Sequence, residues 1–321
     1  MINKLKKKIL LSIIIGGVLY LAFTVYADFN QVLKAFALFN WFLLPPLLVL
    51  SFLNYLFRFF KWDYYLNIIQ VKMKKRDSLS VFMSGLVMSV TPGKFGEILK
   101  SLLVKEITNV SISKTAPIVL AERLTDFLSL LILALIGAFI YDIGGELTIG
   151  ISVFFILLIV LISNKNLSIR LLSQLEKIKY FKKYLSNIHS AYESSYLLLK
   201  PVSLVSMTLV SLIAWGFECV GYYLILLNFN IDFGLVWASF NYSFSTIVGA
   251  ISMLPGGLGI TEGSLTFLLI QKNVSKDIAV TTTFIVRVVT LWFAVLVGII
   301  SVLFYQKRYG KISVDSNESS E

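Results

Sequence analysis

Apolar runs of about twenty residues recur along this chain, each long enough to cross a hydrocarbon core of about 30 Å. They lie at about 9–27, 41–60, 116–141, 147–163, 202–227 and 278–305. Hydrocarbon offers no water to a free backbone N–H or C=O, so a segment crossing it must satisfy those groups internally, as a helix does. The pattern predicts an all-α polytopic membrane protein with six full spans. Composition agrees, since 57% of the 321 residues are hydrophobic, against about 45–50% in soluble domains.

Charge sets the orientation. The net charge is +11, but the basic residues fall between apolar runs, which is the positive-inside pattern and not a nucleic-acid surface. Lys4 and Lys6 to Lys8, Lys72 to Arg76, Arg170 to Lys183, and Lys307, Arg308 and Lys311 alternate with connections at 28–40, 142–146 and 228–234 that are nearly free of Lys and Arg. Both termini are therefore expected in the cytoplasm, with the chain in the cell membrane. The first run, Ile9 to Val25, exceeds a signal-peptide core of about 7–15 residues, so it is expected to stay as a span. Residues 164–200 read as a cytoplasmic amphipathic linker and 306–321 as a disordered cytoplasmic tail. One cysteine, Cys219, excludes an internal disulfide or a cysteine-rich metal site. The one histidine, His189, lies in the polar linker. No cofactor is expected.

Two further apolar stretches are broken. Residues 79–91 would form a helix of about 20 Å, too short to cross, before "TPGKFGE" interrupts it. Residues 235–271 carry "LPGGLGITE" in their middle. Both read as re-entrant hairpins, tolerated at depth only where they line a cavity or are buried in protein. Each break holds P-G-x-x-G and then a glutamate, Glu97 or Glu262. Each precedes a long span with an arginine, Arg123 lying 31 residues after Pro92 and Arg287 lying 32 after Pro255. The parity of the spans places the hairpins on opposite sides. This predicts an inverted repeat, about 79–141 and 235–305, with eight membrane segments in a single transmembrane domain over 1–305.

The breaks suggest their chemistry. A half-helix starting at Pro92, capped by Thr91, offers free N–H groups and a positive dipole end inside the membrane. Gly93, Gly96, Gly256, Gly257 and Gly259 would let the backbone approach a ligand. Lys94, Arg123 and Arg287 add positive charge, so phosphate is the expected guest. Arg58 is a further candidate, although Arg58 and Lys61 also sit where long basic side chains snorkel to the interface. Glu122 and Asp126 share a helix face with Arg123 within reach, which fits an ion pair locking that span against a hairpin. Glu97 and Glu262 would pair with the arginines or take up a proton. Glu218 is a carboxylate alone in an apolar span.

The set "RFFKW" (58–62), "TPGKFGEILKS" (91–101), "ERLTDF" (122–127), "PGGLGITEG" (255–263) and the Arg and Trp of "RVVTLW" (287–292) resembles the flippase-like family that includes the transmembrane region of lysylphosphatidylglycerol synthases. The resemblance covers about residues 9–305. It implies movement of lipids or lipid-linked intermediates between leaflets. The bifunctional members carry a soluble aminoacyltransferase domain, which this sequence lacks, so lipid synthesis by this chain alone is not expected. The expectation is a non-enzymatic flippase for an anionic phosphate-bearing lipid, working alone or beside a cell-envelope lipid-modifying enzyme. Competing readings are a carrier of a small anionic solute and a non-transporting partner subunit. A lateral opening between helices would separate a lipid path from a solute path.

Overall fold

A computed structural model describes residues 21–91, 97–142 and 185–310, with a few positions in 14–18 and 149–153. Pro92, Gly93, Lys94 and Gly96, and most of the expected fourth span, lie outside the described residues. The described residues are helices and connections, with no strand among them. A helix ending at Tyr26 leads into α1 (Phe29–Leu38), capped by the Asp28 carboxylate, which accepts from the N–H groups of Asn30 and Gln31. Then follow α2 (Leu44–Ile68), α3 (Lys75–Gly85) with a 3-10 turn at Leu86–Val90, and α4 (Leu99–Thr108). The order continues with α5 (Ile112–Tyr141), α6 (Leu185–Leu198), α7 (Pro201–Asn228), α8 (Gly234–Ile251) and α9 (Ile260–Gln271). The last are α10 (Lys276–Arg287) and α11 (Phe293–Tyr309), joined by a π-helical turn at Val288–Trp292.

Among the described residues, four helices are long and apolar enough to cross a membrane: Trp41–Ile68, Ile112–Tyr141, Pro201–Asn228 and Lys276–Tyr309. Pro45 and Pro46 occupy the first turn of α2, where the missing N–H groups have no helical acceptor in any case. The expected end of this span near residue 60 is corrected. The helix runs on to Ile68, and Arg58 and Lys61 turn inward instead of snorkelling, both buried. The inward turn has a cause, since α5 presents carboxylates to that face of α2.

The two expected breaks are present on the described side of each. The α8 helix stops at Ile251, and α9 begins at Ile260 after a single 3-10 turn at Pro255–Gly257. The α3 helix tightens into its 3-10 turn, and helical structure resumes in α4. The breaks meet: a methyl group placed on Gly256 would lie 3.5 Å from the carbonyl of Ser89. Val90, Leu258, Leu291 and Val295 pack together around that meeting point. Behind it, α11 lies directly on the 3-10 turn after α3, because a Cβ on Gly298 would stand 2.1 Å from the backbone nitrogen of Val87. On the other side, α5 closes onto α8, where a Cβ on Gly137 would stand 2.2 Å from that of Phe240.

Candidate functional site

The face of α5 that carries Glu122, Thr125 and Asp126 is the centre of a buried ionic cluster. Lys61 of α2 reaches across and donates from Nζ to Asp126 Oδ1 at 2.5 Å, to Thr125 Oγ1 at 3.2 Å and to the carbonyl of Glu122 at 3.2 Å. It also donates to Ser211 Oγ of α7 at 2.7 Å, and that hydroxyl donates to Asp126 at 3.0 Å. Arg58 Nε lies 3.6 Å from the other Asp126 oxygen, and Arg123 Nη1 lies 4.0 Å from it. One carboxylate thus ties α2, α5 and α7 together. Lys100 of α4 pairs with Glu122 and stands 3.6 Å from Glu97. Its Nζ lies over the ring of Trp62 at 4.8 Å. Lys100 thus ties α4 to the Glu122 side of α5.

Each broken segment sends its glutamate to the arginine of the following span. Arg123 Nη2 donates to both oxygens of Glu97. Arg287 Nε donates to Glu262 Oε1 at 2.6 Å, and its Nη2 donates to the carbonyl of Gly256 at 2.5 Å. The two pairs are separated by 26 and 25 residues respectively. Glu262 also accepts from the N–H of Gly259 at 2.7 Å, so it serves the start of α9 with its own carboxylate. The glycine loop is tight here: Gly257 has φ of 67°, and a Cβ on it would meet Thr261 Oγ1 at 2.5 Å. That is a left-handed conformation which residues with a β-carbon rarely adopt.

Between these clusters lies a cavity of about 750 Å³. Arg58, Arg123 and Arg287 line it, with Asp126, Glu218, Gly256 and Gly257. Glu97, Glu122 and Glu262 are buried and outside its lining, as are Pro255 and Gly259. Glu218 accepts a 2.5 Å hydrogen bond from Tyr242, another lining residue. Tyr55 donates to the carbonyl of Thr290 in the π-helical turn at 2.7 Å. The guanidinium Nε atoms of Arg58 and Arg123 have no hydrogen-bond partner among the described residues. In the two clusters, five cations (Arg58, Lys61, Lys100, Arg123, Arg287) face five carboxylates (Glu97, Glu122, Asp126, Glu218, Glu262).

The cavity is not closed on all sides. The α5 and α8 helices touch at Gly137 and Phe240, and both contribute to the cavity lining further along. Leu120 and Leu124 come from α5, and Ala250, Ile251 and Leu254 from the end of α8 and the turn after it. Leu120, Ile251 and Leu254 are 47%, 51% and 44% exposed, so this rim is apolar and faces outward.

Sequence similarity covers the whole arrangement. Residues 9–298 match the model of the lysylphosphatidylglycerol synthase transmembrane region. The chain belongs to this family. A UPF0104 membrane protein of Methanocaldococcus jannaschii is 28% identical over 233 residues, which is 72% of this chain and 97% of that protein. A UPF0104 membrane protein of Pyrococcus horikoshii is 26% identical over 279 residues, 77% of this chain and 82% of the other. One from Methanothermobacter thermautotrophicus is 24% identical over 302 residues, covering 88% and 89%. In this family member, Lys61, Lys100, Tyr55 and Tyr242 join the site although none stood among the sequence candidates. Two of them left a trace: Lys61 lies three residues after Arg58, and Lys100 three after Glu97, a spacing that shares a helix face.

Proposed function

We propose that this protein moves an anionic, phosphate-bearing lipid or lipid-linked intermediate between membrane leaflets. The carrying observation is the pairing of a cavity lined by Arg58, Arg123 and Arg287 with an outward apolar rim between α5 and α8. The headgroup enters the charged interior while the acyl chains stay in the rim, in contact with hydrocarbon. The guanidinium groups of Arg58, Arg123 and Arg287 meet the phosphate, since arginine forks suit phosphate oxygens. Arg58 stands beside Asp126, Arg123 is paired with Glu97 and Arg287 with Glu262, so the headgroup advances by exchanging with a carboxylate. An exchange of near-equal partners holds the guest weakly enough to release it.

In this proposal the two broken segments form an inverted repeat of eight membrane segments, entering from opposite faces, with both termini in the cytoplasm of a cell membrane. The equivalent glutamate–arginine pairs and the contact between the breaks support it. Substrate exchange between leaflets would then be a rocking of one half against the other. A separate lipid-modifying enzyme would supply the lipid. A small-solute carrier has no use for the outward apolar rim.

The test is reconstitution into vesicles with a panel of short-chain labelled lipids in one leaflet. Phosphatidylglycerol is expected to appear in the other leaflet, and a neutral glycolipid of the same chain length is not. Equal transfer of the neutral lipid, or transfer of none, would overturn the proposal, the second result favouring a partner subunit.

A further inference from the structure

A second groove lies further along α11, toward its C-terminal end. From the tight contact of Gly298 with Val87, α3 and α11 run antiparallel toward the basic end of the molecule. Between them is a groove of about 420 Å³. Its mouth carries Arg76, Lys307 and Arg308, and its floor carries Leu79, Met83 and Phe304. Ser80 and Ser301 also line it. Arg308 is held in place by Asp77 at 3.1 Å. Three cations against one carboxylate leave the mouth positive. Below it, Phe304 is 68% exposed on a helix that spans the membrane.

We propose that this groove binds the headgroup of an anionic phospholipid, at a site separate from the transport cavity. Charge complementarity assigns the headgroup, because juxtamembrane arginines and lysines select anionic lipid. The apolar floor assigns the source. Leu79, Met83 and Phe304 gain nothing from inorganic phosphate, whereas the upper methylenes of an acyl chain would cover them. No residue lines both sites. Along α11, Ala294 of the cavity and Ser301 of the groove are seven residues apart, about 10 Å. The bound lipid would bridge the first hairpin to the last span and stiffen the scaffold behind the cavity. This binding does not depend on the transport reading.

The experiment is native mass spectrometry of the detergent-purified, delipidated protein with dioleoylphosphatidylglycerol or dioleoylphosphatidylcholine added. The parent is expected to retain phosphatidylglycerol under activation that strips phosphatidylcholine. The double change Arg76→Gln and Lys307→Gln should weaken that binding about 30-fold, the effect of two juxtamembrane cations. Lys307→Arg should retain it. Both positions are exposed, and an unchanged melting profile of the double variant checks the fold. Equal retention of both lipids by the parent, or unchanged phosphatidylglycerol binding by the double variant, would overturn the proposal. Displacement of the lipid by excess inorganic phosphate would overturn it too, by reducing the groove to a simple anion site.

Discussion

Lys61 has no exposed surface, and its ammonium group is met by Asp126, Thr125, Ser211 and the carbonyl of Glu122. A buried charge in a membrane is expensive unless paired, and breaking one side of a buried pair costs about 3–5 kcal/mol. Lys61→Met should therefore lower the melting temperature of the detergent-purified protein sharply. Adding Asp126→Asn should restore part of the loss, because it removes a buried carboxylate left with only the more distant Arg58 and Arg123. A Lys61→Met protein as stable as the parent would show that Asp126 finds another cation. The sequence exposed the acidic half of this network better than the basic half. Glu122 and Asp126, four residues apart, announce a shared face by spacing alone. Lys61 and Lys100 instead meet partners 65 and 22 residues away, and their direction depends on which helix packs beside them. A long basic side chain near a helix end reads equally as snorkelling or buried, and only tertiary packing separates the two.

At the scale of elements, close backbone contacts fix where the broken segments sit. Gly298 has no room for a methyl group, because the backbone of Val87 occupies its place. Gly298→Ala must push α11 away from the 3-10 turn after α3, and overpacking of this kind costs about 1–3 kcal/mol. Gly216 in α7 has nothing within 4 Å of its would-be Cβ, so Gly216→Ala should be tolerated. Fluorescence-detected size exclusion of both variants checks the contrast, and equal yields of monodisperse protein would contradict it. The breaks themselves were legible, since proline and glycine in an apolar run leave few alternatives. The extension of α2 past residue 60 was not, because its charges look like a span end until α5 supplies their partners. The π-helical turn after Arg287 also has no signal in the composition of "VVTLW".

For the whole molecule, the basic connections predict one orientation. In a Cys219→Ser background, a cysteine introduced at Lys72 should react with an impermeant maleimide only after the cytoplasmic face is opened. Labelling from outside intact cells would contradict both the cytoplasmic termini and the opposite entry of the two hairpins. The same scale holds the balance, among the described residues, of five cations and five carboxylates in the two clusters. With no large net charge in the two clusters, discrimination rests on the geometry of the guanidinium forks. The sequence showed the arginine candidates, and the apolar rim beside them became visible only once α5 and α8 were placed.

If the cavity arginines handle a lipid phosphate, the loss of Arg287 must be felt in lipid transfer. Its guanidinium spans Glu262 and the carbonyl of Gly256. Arg287→Lys keeps the charge and loses that fork, whereas Arg287→Met loses both. Leaflet transfer of labelled phosphatidylglycerol, measured in vesicles at equal amounts of folded protein, should fall partly for the lysine variant and by at least tenfold for the methionine variant. Methionine-variant protein that transfers this lipid as fast as the parent would contradict the account.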